Sequence, residues 1–163
     1  MNMIQRSKVL LFLGLATFSG KQLAAQGTSD TLSLAAFKGD TVSYIEANVI
    51  SKKEKYVNQP LKILLNDLGI PIQSYAYYIS PLSKSTIPGM YLYFTDAGAY
   101  HLSRYPKKTG AMSLYITFLT VVAMDDVKKL YKQSDGAWLP PEEKFYGDHP
   151  IKDVQLIKAS PIK

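Results

Sequence analysis

The sequence contains no cysteine, which excludes disulfides, thiolate metal sites, a cysteine nucleophile and the lipid-modified cysteine of a bacterial lipoprotein. Stability must therefore come from packing. Arginine is nearly missing, with only Arg6 and Arg104 present, so the side chain best suited to bidentate phosphate and base recognition is scarce and no nucleic-acid partner is expected. Two histidines, His101 and His149, are too few for a zinc site of the usual type. The longest apolar stretch, Val9 to Phe18, is half of the roughly 20 residues that a membrane-spanning helix needs. Also missing are a Gly-rich phosphate loop, a G-x-S-x-G elbow and an H-E-x-x-H pair. No cofactor is expected.

What is present starts with an export signal. Arg6 and Lys8 precede the apolar stretch, and the small residues Ala24 and Ala25 follow before Gln26. This three-part order resembles that of a bacterial secretory leader, with Leu23 in place of the more usual small residue. Residues 1–25 are expected to be removed and the product to be periplasmic or extracellular. The leader holds three of the 19 basic residues and none of the 13 acidic ones, so the +6 of the whole chain falls to +3. The remaining chain, with 47% apolar and 20% charged residues overall, has the balance of one folded domain.

Residues 26–39 have no clear period and read as a flexible N-terminal arm; residues 40–163 form the single domain. Asp40 is an N-cap candidate before Val42, Ile45 and Val49, which predicts a helix over 41–54. Pro60 suits the first turn of a second helix, whose stripe is Leu61, Leu64, Leu65 and Leu68 and which Gly69 stops. Residues 70–79 read as a strand, and 80–88 as a loop. Met90, Leu92 and Phe94 open a hairpin that returns over 99–104, and Met112 to Phe118 alternate as another strand. Met124 to Lys132 is a third helix, acidic at its start and basic toward its end. A long loop over 134–150 and a last strand over 151–157 complete the chain. The fold class is α+β in two layers: N-terminal helices on an antiparallel meander of about five strands, with a further helix before the last strand.

The candidate site follows from tyrosine, of which there are twelve. Tyr75, Tyr77, Tyr91, Tyr93 and Tyr115 fall on the strand parity opposite the aliphatic residues. Tyrosine combines a flat apolar ring with a hydroxyl at low entropic cost, which suits recognition of a protein or a glycan. Tyr75, Tyr91, Tyr93 and Tyr115 are the expected contacts, with Trp138 as a loop contact. The same pattern also fits cross-strand pairing that only stabilises the sheet, and Trp138 equally suits anchoring of its loop.

Other chemistry is thinner. Asp148, His149 and Asp153 approach metal-ligand composition but match no established spacing. Asp125 with Asp126, and Glu142 with Glu143, are adjacent pairs whose members point apart; capping explains the first and solubility the second. Ser160 and Lys163 have the S-x-x-K spacing, but Pro161 opposes the helix that would present them. Lys52, Lys53 and Lys55, with Lys107 and Lys108, offer charge for anionic polymers or read simply as a solvated surface. The sequence points to a small exported noncatalytic binding domain. The alternatives are a hydrolase-like enzyme using His101 or His149 with a nearby carboxylate, and a structural or inhibitory envelope protein acting through its loops.

Overall fold

The computed structural model describes residues 32–94 and 112–158. The expected leader, the hairpin return over 99–104, His101, Lys107, Lys108, Ser160 and Lys163 lie outside the described residues.

The N-terminal layer is built by capping and by leucine burial. From Leu32 the chain is tied down, since the Leu32 N–H donates to Asn48 Oδ1 and the Leu32 carbonyl accepts from Asn48 Nδ2, both at 2.9 Å. Asp40 caps α1, Thr41–Asn48, by accepting the Val42 and Ser43 N–H groups at 3.0 and 3.2 Å. The single helix expected over 41–54 is instead split. Val49 has φ −115°, and the chain continues as a 3-10 turn, Ile50–Lys55, with a further kink at Lys52. Val49 and Tyr56, which flank the 3-10 turn, are both buried in the core.

Pro60 precedes α2, Leu61–Asp67. Leu61, Leu64 and Leu68 are fully buried, while Leu65 is half-buried. Gly69 has φ +64°, and a side chain there would collide with the Tyr44 hydroxyl, which donates to the Leu68 carbonyl at 2.9 Å. Helix end and core tyrosine therefore fix each other.

Four strands follow in the order β1 (Ser74–Tyr78), β2 (Thr86–Tyr93), β3 (Ser113–Ala123) and β4 (Ile151–Ile157), each antiparallel to its neighbour. β2 pairs directly with β3, from Tyr93 opposite Ser113 to Thr86 opposite Ala123. β3 thus occupies the place beside β2 that the five-strand expectation gave to 99–104. Residues 86–88, expected as loop, belong to β2, and a bulge between Ile87 and Gly89 adjusts the register there.

β3 runs into α3, Met124–Ser134. Asp135 and Gly136, with φ of 51° and 78°, reverse the chain so that it lies along the start of β1, where Gly136 O accepts the Tyr75 N–H at 2.9 Å and Gln73 O accepts the Trp138 N–H at 3.1 Å. The expected loop over 134–150 contains a further helix, α4 (Pro140–Tyr146). Its two leading prolines need no intrahelical partner there, and Glu142 Oε2 accepts the Leu139 N–H at 3.2 Å. Glu142 is thus a buried cap and not a solubilising group.

Buried residues of all four helices join one cluster with Tyr75, Met90, Leu92, Leu114, Ile116, Phe118 and Val154 of the strands. Helices cover one face of the sheet, giving the α+β two-layer architecture. No helix among the described residues is long and apolar enough to cross a membrane.

Candidate functional site

Directly opposed residues in a sheet share a face, so the register sorts the tyrosines. One row runs Tyr75, Leu92, Leu114, Leu156, and the next Tyr77, Met90, Ile116, Val154. These point toward the helices. The other face carries the rows Ala76, Tyr91, Tyr115, Gln155 and Tyr78, Gly89, Thr117, Asp153, with Ser74, Tyr93, Ser113 and Ile157 beyond.

Three of the expected contacts therefore come together and two do not. Tyr91 and Tyr115 are half-buried cross-strand partners, with ring centroids 4.7 Å apart and planes at 28°. Tyr93 lies beside Tyr91 at 6.4 Å in a similar plane, and it is buried, only 4% exposed. Tyr75 is on the opposite face, 2% exposed, because its row carries the leucines. Trp138 packs on the helix side as well, 5.7 Å from the Tyr75 ring and stacked at 6.1 Å on Tyr146. It anchors the segment between α3 and α4.

Tyr78 completes the group and was missed by sequence reasoning. It sits opposite Gly89, and the missing side chain there lets its ring reach over β2 to Tyr115, two strands away, at 5.8 Å, and to Tyr91 at 6.5 Å. The available signal was the glycine inside an otherwise apolar and aromatic strand, which marks a close approach.

The geometry decides how these rings stand. A 4.7 Å separation equals the spacing between strands, and two rings lying flat on the sheet would collide at that distance. Tyr91 and Tyr115 stand upright, with faces turned to each other and edges outward. Burial raises the Tyr115 hydroxyl above its ordinary value of 10, with Tyr91 and Tyr78 adding to the effect, so it stays a protonated donor at neutral pH. At the margin, Gln155 Nε2 donates to Asp153 at 2.8 Å and Lys53 Nζ lies 3.3 Å from the same carboxylate. Those contacts, the Gln155 bond foremost, hold the Asp153 carboxyl below the usual value.

The remaining candidates separate. Asp148 pairs with Lys62 at 2.7 Å, and Asp153 with Lys53; among the described residues no cluster of three metal-ligating side chains forms. Lys55 pairs with Asp67 at 2.6 Å, so two lysines of the basic run are committed to neighbouring acids. His149 packs among Phe118, Phe145 and Tyr146 at 5.5, 5.8 and 6.5 Å.

That packing yields a pH prediction. Burial lowers the His149 pKa below 6.5, against a smaller upward pull from Asp148. As pH falls below about 6.5, the unfolded chain takes up this proton before the folded one, so stability present above that pH is lost until the folded value is passed. Urea midpoints measured from pH 7.5 to 5 should fall less steeply for His149→Gln than for wild type. Parallel curves would show that the histidine is not held neutral.

Comparison with protein-family models, with curated proteins and with solved structures finds no match for the chain.

Proposed function

We propose that this chain is an exported, noncatalytic module that binds a partner protein through Tyr78, Tyr91 and Tyr115. The observation that carries the reading is the upright Tyr91–Tyr115 pair, half-buried on the sheet face that lies outside the helix-packed core cluster. Tyrosines in rigid array contribute large contact area with little entropy left to lose, which is the chemistry of protein-binding anchors. A glycan is served less well. A pyranose ring packs its C–H face flat against an aromatic face, and here the two faces are turned to each other.

The test compares the chain beginning at Gln26 with a Tyr91→Ser, Tyr115→Ser double variant, both checked for folding by circular dichroism. A partner captured from envelope extracts and then purified should bind the variant at least about 30-fold more weakly, corresponding to about 2 kcal/mol. Equal affinities would sink the proposal, and binding confined to an oligosaccharide panel would replace it with the glycan reading. Mass spectrometry of secreted material tests export separately, with a mature N-terminus at Gln26 as the expected result.

One observation favours the loop-led inhibitory alternative. Leu82, in the connection between β1 and β2, is 96% exposed, as an inserting loop residue would be. Leu82→Ser should leave binding unchanged if the tyrosine face is the contact, and abolish it if the loop is.

A further inference from the structure

The two sides of β3, Ser113–Ala123, are matched to unequal lengths. One side pairs with β2 as far as Ala123, opposite Thr86. On the other, the β4 register ends with Ile151 opposite Phe118, and the Leu119 N–H then donates to the Pro150 carbonyl at 2.8 Å. Ahead of Pro150 the chain turns away, with the His149 carbonyl accepting from the Leu61 N–H at 3.0 Å. The end of β3 is therefore an edge that no described strand covers. Leu119 and Val121 are 53% and 59% exposed there, and Thr120 and Ala123 are exposed as well. Such an edge is ordinarily blunted by charge or proline, yet residues 113–124 contain no Asp, Glu, Lys, Arg or Pro.

Successive residues of a strand turn their backbone groups to opposite sides. The Leu119 N–H points toward β4, and the Met124 N–H points toward β2, where it donates to the Ser85 carbonyl at 2.8 Å. Both bonds place the backbone groups of Leu119, Val121 and Ala123 on the uncovered side. Of these, the Leu119 N–H is taken by Pro150, and Ala123 is the N-cap of α3, so its carbonyl serves the first turn of that helix. Left on the edge are the Leu119 carbonyl, both groups of Val121 and the Ala123 N–H, with no bond to another element among the described residues. The set is self-complementary about Val121.

We propose that residues 119–123 form an interface with a second copy of this chain, the two segments pairing antiparallel about a two-fold axis at Val121. Each Val121 N–H donates to the partner's Val121 carbonyl, and each Ala123 N–H to the partner's Leu119 carbonyl. The free groups are thereby all used, and the two committed ones stay where they are. Charge agrees with this register, which sets Asp125 of one copy across from Thr117 of the other, beside the start of β4 and its exposed Lys152. Asp125 and Asp126 are exposed too, and among the described residues neither they nor Lys152 joins an ion pair. The acidic start of each α3 thus meets a lysine of the other copy, while the neighbouring Asp153 is already matched by Lys53 and Gln155. The interface uses no tyrosine ring and does not depend on the tyrosine reading.

Sedimentation velocity of the wild-type protein across a range of concentrations tests it, with a monomer–dimer equilibrium as the expected result. Val121→Pro removes an edge N–H that the monomer does not use, so it should weaken the dimer at least about tenfold and leave the urea midpoint of the dilute protein unchanged. Val121→Lys keeps the N–H but sets two charges against each other at the axis; it should act likewise, and it decides the matter should the proline variant not fold. Lys152→Glu should weaken the dimer, and adding Asp125→Lys and Asp126→Lys should restore it. Because the chain has no cysteine, Val121→Cys should give a disulfide-linked dimer on mild oxidation, the paired Cα atoms standing about 5.5 Å apart. Ile157→Cys, exposed at the far end of β4, should not. A monomer at every concentration, or a dimer that both Val121 variants leave intact, would overturn the proposal. So would a monomeric wild type whose captured partner is lost in those variants, since another protein's strand would then fill the edge. The Tyr91→Ser, Tyr115→Ser variant should dimerise as wild type does, which keeps failure of this interface distinct from failure of the tyrosine face.

Discussion

Gly89→Val is expected to destabilise the protein by about 3 kcal/mol, the upper part of the range for forcing extra volume into a packed interior. Gly89 lies between β1 and β3, opposite Tyr78 on one side and Thr117 on the other. A Cβ built there would collide with the Ile116 carbonyl oxygen and would stand 3.1 Å from Thr117 Cα and 3.2 Å from the Ile116 carbonyl carbon. These are backbone atoms, which cannot swing aside as a side-chain tip would. The strands must separate or slip, and a slip exchanges the two faces of the sheet. The same substitution fills the gap over which Tyr78 reaches Tyr115, so partner affinity should fall with stability. Urea unfolding monitored by Trp138 fluorescence measures the first effect, and binding well below the unfolding midpoint measures the second. A valine variant as stable as wild type would show that the bulge at Ile87 and Gly89 absorbs the side chain.

Leu64→Ala should cost about 2–5 kcal/mol, the range for truncating a fully buried leucine. A seven-residue helix has no stability of its own, and α2 exists because its leucines are buried. Its loss would spread. The Leu61 and Lys62 N–H groups donate to the His149 and Gly147 carbonyls at 3.0 and 2.8 Å, so α2 also holds the turn that leads into β4. Net stability of a domain is commonly about 5–15 kcal/mol, and this one change removes a large share. The half-buried Leu65 gives the control, and Leu65→Ala should cost less than half as much in the same chemical denaturation. Equal costs would mean that the helix is held by something other than the leucine stripe.

The two sides of the sheet divide the labour. Toward the helices, Tyr75, Tyr146 and Trp138 form a dense aromatic interior with buried oxygens. Toward the other side, Tyr91 and Tyr115 stack and Tyr78 meets both edge-on, with polar margins at Gln155 and Thr117. The proposed recognition thus rests on residues whose truncation leaves the core leucines untouched, which is why binding and folding can be measured separately.

Some of this was legible in the residues alone. Residues 151–157 form a strand over the expected span, and the leucine stripe after Pro60 forms α2, whose helical spacing matches its backbone. Aliphatic parity also placed Tyr91 and Tyr115 together, because Met90, Leu92, Leu114 and Ile116 leave no doubt which side of β2 and β3 is buried. α4 was hidden because two prolines and a glycine bracket only a few helical residues, and its defining contact is the Glu142 cap. In β1 the alternation is between Tyr75 with Tyr77 and Ala76 with Tyr78, and aromatic residues suit either side. Periodicity within a strand says which residues share a side. Only the pairing of Tyr75 with Leu92, and of Tyr78 with Gly89, decided which side meets the helices, because burial is assigned by neighbouring strands and not by the strand itself.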